Sequence, residues 1–262
     1  MDIAAIVTSL DPWILFFLIV IICVVFAELG SLVAHRRAKT GVKEPDAAIG
    51  TAVGGMMALL AFMLGLTFSI TASRFADRKE LVITQANAIG TCYLRTSFIP
   101  ENQKQEIRKL FREYVAILTS DQTEVDVDKA VTRLEKIHLF IWKQTASLKQ
   151  ENMDSEIRTL FVSSVNKVID IAEERKTVAL VFRIPSVFWI SLFILTALCM
   201  FSIGYQIGTQ GTRRILDLPL LAAAFSVVFV MIAAMDSSGP KRFKVSQKPL
   251  LDVQQMMKED IP

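Results

Sequence analysis

Hydrophobic and polar positions fall into two regimes along the chain. From Pro12 to Ala34 only Glu28 interrupts an apolar run; Ala47 to Ser73, Ile184 to Thr212 and Leu218 to Met235 carry no charge at all. A helix rising ~1.5 Å per residue needs about 20 apolar residues to cross a ~30 Å hydrocarbon core. The pattern therefore predicts four transmembrane helices, over residues 12–34, 47–73, 184–207 and 215–235. The residues ahead of the first run include Asp2 and Asp11 but no Lys or Arg, and no small-residue cleavage pattern follows, so the run reads as a retained span and not a leader. Gly208 to Gly211 reads as a tight turn between the third and fourth spans.

The stretch between the second and third spans changes period. Ile107, Leu110, Phe111, Tyr114, Val115 and Leu118 recur at helical spacing after Pro100, with Lys104, Arg108, Lys109, Arg112 and Glu113 on the other side. A second stripe runs Val131, Leu134, His138, Ile141, Thr145 and Leu148, and a third Ile157, Phe161, Val165, Val168 and Ile171. No alternating strand pattern is sustained. Residues 74–183 are thus expected to form a helical soluble domain inserted between the second and third spans, with 236–262 a C-terminal tail. Beyond Ser73 the second span meets no Gly or Pro until Gly90, so it is expected to run on into water as a long shaft.

Composition sharpens this reading only once it is located. The apolar share is 52% and the charged share 21%, which barely depart from a soluble protein. Yet 18 of the 29 basic and 16 of the 26 acidic residues lie between Arg74 and Arg183, leaving the flanks almost uncharged. A net charge of +3, with signs alternating through the middle, excludes a nucleic-acid argument. Three cysteines and two histidines without ligand spacing offer no metal or redox site, and no cofactor motif occurs. Asp121, Glu124, Asp126 and Asp128 superficially suggest a calcium loop, but Asp126 stands where such a loop needs Gly; a solvated turn capping the next helix fits better. Phosphate-loop, nucleophile-elbow and zinc-protease motifs are all missing, so no enzyme is expected.

The chemistry that remains sits at membrane depth. Gly50, Gly54, Ala58, Ala61, Gly65, Ser69, Ala72 and Ala76 form a line of small residues along the second span, with Gly50, Gly54 and Gly65 as its helix-packing glycines. Such a line permits close approach, either to helices of the same chain or to other copies gathered around one axis. Glu28 is the one acid inside a span, two turns before the basic group His35, Arg36, Arg37 and Lys39, to which level it can snorkel.

Several segments resemble the bacterial bestrophin-like domain family of multipass membrane proteins. They are Leu60 to Ser69, Arg74-Phe75 and Gln85 to Thr91, then Arg175, Arg183-Ile184-Pro185 and Trp189. After the fourth span come Asp236, Pro240, Phe243, Val245-Ser246 and Pro249-Leu250. The family is distantly similar to bestrophin anion channels. The resemblance implies an all-α membrane protein of bestrophin-like fold: a homo-oligomer in the lipid bilayer, a pentamer in bestrophins, whose second span lines a pore for a permeant anion. It places the neck at Ala58, Phe62 and Leu66, with Ala58 smaller than the pattern asks, and a basic-aromatic element at Arg74-Phe75. A channel of this layout has Arg74 and Arg78 at its water-facing mouth, where they concentrate anions; the alternative for Arg74 is a cation anchoring the helix at the headgroups. The acidic clasp after the fourth span is replaced by Ser237 to Arg242, so calcium control is not expected. Basic residues on both sides of the spans leave orientation undecided; the resemblance puts both termini and the helical domain in the cytoplasm, at the bacterial inner membrane. The competing expectation is a non-conducting scaffold or sensor, laid out like a flagellar stator subunit and acting through a partner protein.

Overall fold

The computed structural model describes residues 3–39, 46–120, 127–180, 183–210, 217–237 and 245–260, and every element among them is helical. The helices are α1 (Ile3–Ser9), α2 (Pro12–Ala38), α3 (Asp46–Arg95), α4 (Glu101–Thr119), α5 (Val127–Ser147), α6 (Ser155–Leu180), α7 (Ser186–Gln210), α8 (Asp217–Asp236) and α9 (Lys248–Glu259). Four of them are long and apolar enough to cross a membrane: Pro12–Ala38, Ile49–Phe98, Ser186–Gln210 and Leu218–Asp236. The chain divides into two compact units, Met1–Phe75 with Arg183–Phe243, and Ala76–Phe182 with Lys244–Pro262.

In the first unit α2 begins cleanly, with Pro12 in its first turn and the Asp11 carboxylate accepting from the Trp13 N–H at 2.9 Å. Leu15, Ile19, Cys23, Ala27, Gly30 and Ala34 make its buried face. That face meets α7 backbone to backbone. A Cβ on Gly30 would lie 2.0 Å from the Phe201 carbonyl oxygen, one on Gly204 1.8 Å from that of Ala27, and one on Gly208 2.7 Å from the Ala34 Cβ. Lipid tails are as apolar as the helices, so packing of small residues and not water exclusion holds such a pair together. Around it cluster Trp189, Leu192, Cys199 and Met200 of α7, Ala222, Phe229, Ile232 and Ala233 of α8, and Leu60 and Leu64 of α3. Phe193 and Phe229 stack at 5.4 Å. Trp13, Ile14, Phe17, Ile21 and Val25 of α2 stay exposed, as lipid-facing side chains should. Gly208 to Gln210 continue α7 instead of forming the expected turn; the close contact of Gly208 with Ser31 and Ala34 favours the helical course there.

The second unit is built on amphipathic stripes. Ile107, Phe111, Tyr114 and Val115 of α4, Ile137 and Ile141 of α5, and Phe161, Val165, Val168 and Ile171 of α6 close on Ala86, Ile89, Cys92 and Tyr93 of α3. The shaft does not pause at Gly90. One glycine costs a helix about 1 kcal/mol, against the burial of Ile89, Cys92 and Tyr93 at ~1.5–3 kcal/mol for a large apolar side chain. Leu250 and Met257 of α9 join the same core, and Asp260 beyond it pairs with Arg108 at 2.6 Å. The C-terminal tail therefore contains a helix docked on the core of the second unit. The acids Asp121, Glu124 and Asp126 lie outside the described residues.

Candidate functional site

The membrane half of α3 has three distinguishable faces. Val53, Leu60, Leu64, Thr67 and Thr71 are buried against the chain itself. The two threonine hydroxyls donate within the helix, Thr67 to the Met63 carbonyl at 2.7 Å and Thr71 to that of Thr67 at 2.9 Å, so burial leaves neither unsatisfied. Nearly opposite stand Phe62, 66% exposed, and Leu66, 42% exposed. Between these faces runs the line of small residues. Gly54, Ala58, Ala61, Gly65 and Ser69 are exposed, and a Cβ added at Gly54, Gly55 or Gly65 would meet nothing within 4 Å. Gly50 is half-buried, and a Cβ added there would meet the Gln206 amide nitrogen at 3.4 Å. The opposite flank carries bulky Leu59, Met63 and Ile70, of which Leu59 is 49% exposed.

Ala58, Phe62 and Leu66 thus share one outward side. Arg74 does not. At about 100° per residue it lies roughly 120° around the helix from Phe62, on the side continued by Thr67 and Thr71. It is half-buried, and its Nη1 is shielded from water without a hydrogen-bond partner. Arg78, in the second unit, is also half-buried. Glu28 is exposed on α2, away from the face that packs on α7.

Asp236 is only 4% exposed and lies at the end of α8. Its carboxylate accepts from the Ile184 N–H at 3.1 Å, two residues ahead of α7. A carboxylate so near a helix N-terminus gains from the helix dipole as well as from the bond. This bond joins Arg183-Ile184-Pro185 to the segment after the fourth span. Pro240 and Phe243, expected in the same motif, lie outside the described residues.

A second polar node occurs in the other unit. Arg175 donates to the Gln85 side-chain oxygen and, at 2.8 Å, to that of Gln247. The Gln85 amide in turn donates to the Tyr114 hydroxyl at 2.9 Å, and the His138 ring lies 4.9 Å from that of Tyr114. Burial pushes the Tyr114 hydroxyl above its ordinary range and lowers the Arg175 value from its own. Gln85, Arg175 and Gln247 each stand in or beside a different segment of the family resemblance, and here they share one hydrogen-bonded cluster. Among the described residues no three His, Cys, Asp or Glu side chains gather closely enough to hold a metal ion.

Two features escaped the sequence reading. The close-packing glycines within the chain are Gly30, Gly204 and Gly208, and the Gly204–Gly208 spacing is a GxxxG that was there to be read. The Arg175 cluster had no local signal, because its members are 90 and 72 residues apart.

The pattern that defines the Bestrophin-like domain matches residues 17–249. No curated protein matches the chain. Among solved structures, a bacterial bestrophin homologue from Klebsiella pneumoniae superposes with a TM-score of 0.67 at 12% identity, over 96% of this chain and all (100%) of that one. Two single-site variants of that homologue give 0.65 and 0.66 at 10% identity, over 94% and 95% of this chain and 97% and 98% of theirs. At such identity the likeness is one of fold.

Proposed function

The chain belongs to the Bestrophin-like domain family, and from that premise we propose that it is a homo-oligomeric ion channel whose α3 helices gather around a common axis. The observation that carries the reading is the division of α3 into faces. Its own chain covers one side, through Leu60, Leu64, Thr67 and Thr71. The opposite side presents Phe62, a large aromatic 66% exposed on a helix that already has a core to pack in. The flanks differ in size: small residues with open space on one, Leu59, Met63 and Ile70 on the other. The bulky flank of one copy fits the small flank of the next, a head-to-tail contact that closes into a ring. Phe62 and Leu66 then face the axis and narrow it, forming an apolar constriction that gates by dewetting. Ala58, one turn away on the same side, leaves the constriction wider there. The family resemblance implies five copies around that axis, in the bacterial inner membrane with both termini cytoplasmic.

Purified protein in planar bilayers tests the reading directly. Phe62→Ala with Leu66→Ala removes the apolar side chains and raises conductance several-fold over wild type, as expected for a dewetted gate. Silence in both wild type and the double variant rejects the channel. Recovery of a single-pass partner in equal amount, seated on the Phe62 face, would instead establish the scaffold.

A further inference from the structure

We propose that the last turns of α2 form a binding site for an anionic phospholipid, with Arg36 and Lys39 on its phosphate and Leu29, Leu32 and Val33 along an acyl chain. The site lies wholly within the first unit and does not depend on conduction.

Depth is the first support. Trp13, 71% exposed, marks one boundary of the span, since an indole prefers the layer between hydrocarbon and water. Twenty residues further, at ~1.5 Å each, the helix has crossed about 30 Å of hydrocarbon and stands at Val33. His35, Arg36, Arg37 and Lys39 follow within the next two turns, all exposed, at the level of lipid phosphates. A cation at a helix C-terminus gains from the dipole wherever it points. Direction is what adds specificity here.

Seven residues make two turns less about 20°, so Arg36 stands over Leu29 and Lys39 over Leu32. Leu29, Leu32 and Val33 are all exposed, on the side turned away from Ala27, Gly30 and Ala34, which pack on α7. An apolar strip thus leads up to two cations. Arg36 and Lys39, three residues apart, share one face, and neither has an ion-pair partner among the described residues. One phosphate accepts from a guanidinium and an ammonium together. Arg37 points elsewhere, donating to the Tyr205 hydroxyl of α7 at 3.3 Å. The His35 ring is held by its Nδ1, which donates to the Ser31 carbonyl at 2.8 Å. Glu28 is on the same side as His35 but two turns, about 10 Å, deeper, so the phosphate layer keeps a surplus of positive charge. A zwitterionic headgroup brings its own cation into that surplus and is repelled; an anionic one is not.

Native mass spectrometry of the full-length protein in detergent, titrated with phosphatidylglycerol, tests the site. One lipid per chain binds saturably, and phosphatidylcholine with the same acyl chains binds several-fold more weakly, a comparison that needs no variant. Arg36→Gln combined with Lys39→Gln weakens phosphatidylglycerol by about 30-fold, the factor that corresponds to ~1 kcal/mol for each Lys or Arg near an anionic surface. Lys109→Gln, exposed on α4, leaves the affinity unchanged. Equal affinity for the two lipids overturns the site, as does equal affinity of wild type and the double variant for phosphatidylglycerol. Soluble glycerol phosphate binding as tightly as phosphatidylglycerol overturns the lipid as the ligand, because it has no chain to lie along Leu29 and Leu32.

Discussion

His138 is 8% exposed, and its Nε2 is buried without a hydrogen-bond partner. Burial holds its imidazole below the ordinary value of 6.5; Glu173 and Glu135 pull it upward and Lys176 downward, but desolvation dominates. The folded chain therefore binds the neutral ring. As pH falls below 6.5 the unfolded chain takes up that proton first, so stability present above 6.5 is lost as pH drops through the lower, folded-state value. Phe at position 138 keeps the ring against Tyr114 and has no proton to take. The fall in melting temperature between about pH 7.5 and 5 should accordingly shrink in His138→Phe; an unchanged fall would assign the titration to another group. Sequence periodicity placed His138 and Tyr114 on the buried stripes of α5 and α4 but not against each other, because a helical stripe identifies which side is inside and not what it touches. The same limit hid the Arg175 cluster. Gln85 and Arg175 were each legible as part of a family segment, whereas Gln247 falls between Val245-Ser246 and Pro249-Leu250 and gained significance only from its 2.8 Å bond.

At the scale of elements, two kinds of glycine separate. Gly204 is pinned against the Ala27 backbone, and a single added carbon there would sit 1.8 Å from a carbonyl oxygen that cannot move without moving α2. Gly204→Ala should lower the thermal stability of the detergent-solubilised protein by the ~1–3 kcal/mol typical of overpacking. Gly54→Ala, where nothing lies within 4 Å, should not. The reverse order of melting temperatures would show that α2 and α7 are not in backbone contact. The apolar runs made the spans legible because length against bilayer thickness is a strong constraint. The Gly204–Gly208 spacing was legible but not which glycines pack within the chain, since Gly50 and Gly54 have the same spacing. Only burial distinguishes them. The helix α9 was readable in principle from Leu250, Val253 and Met257 at helical spacing, but twelve residues after a span look like a tail until a core exists for them to join. The charge distribution had already pointed to a charged helical insert, while the reach of α3 through Gly90 to Arg95 needed the core around Ile89 and Tyr93 to explain it.

The proposed assembly depends on an asymmetry between the flanks of α3. Leu59 and Ala61 are two residues apart and so diverge by roughly 160° around the helix, which forbids a disulfide between them in one chain. If copies meet bulky flank to small flank, residue 59 of one copy approaches residue 61 of the next, and every copy in a ring repeats the contact. The native thiols leave a low background. Cys23, Cys92 and Cys199 are all buried, and burial raises the Cys92 thiol to about 11 despite the Ser164 hydroxyl donating to it. The combined Leu59→Cys, Ala61→Cys variant, oxidised in membranes, should therefore give a ladder on a non-reducing gel whose top rung counts the copies, five if the bestrophin-like assembly holds. Each single variant should remain a monomer, because a head-to-tail contact never brings a residue against itself. Strong dimer from Leu59→Cys alone would mean a two-fold contact instead, and a two-fold pair of α3 helices has no axis for Phe62 and Leu66 to line.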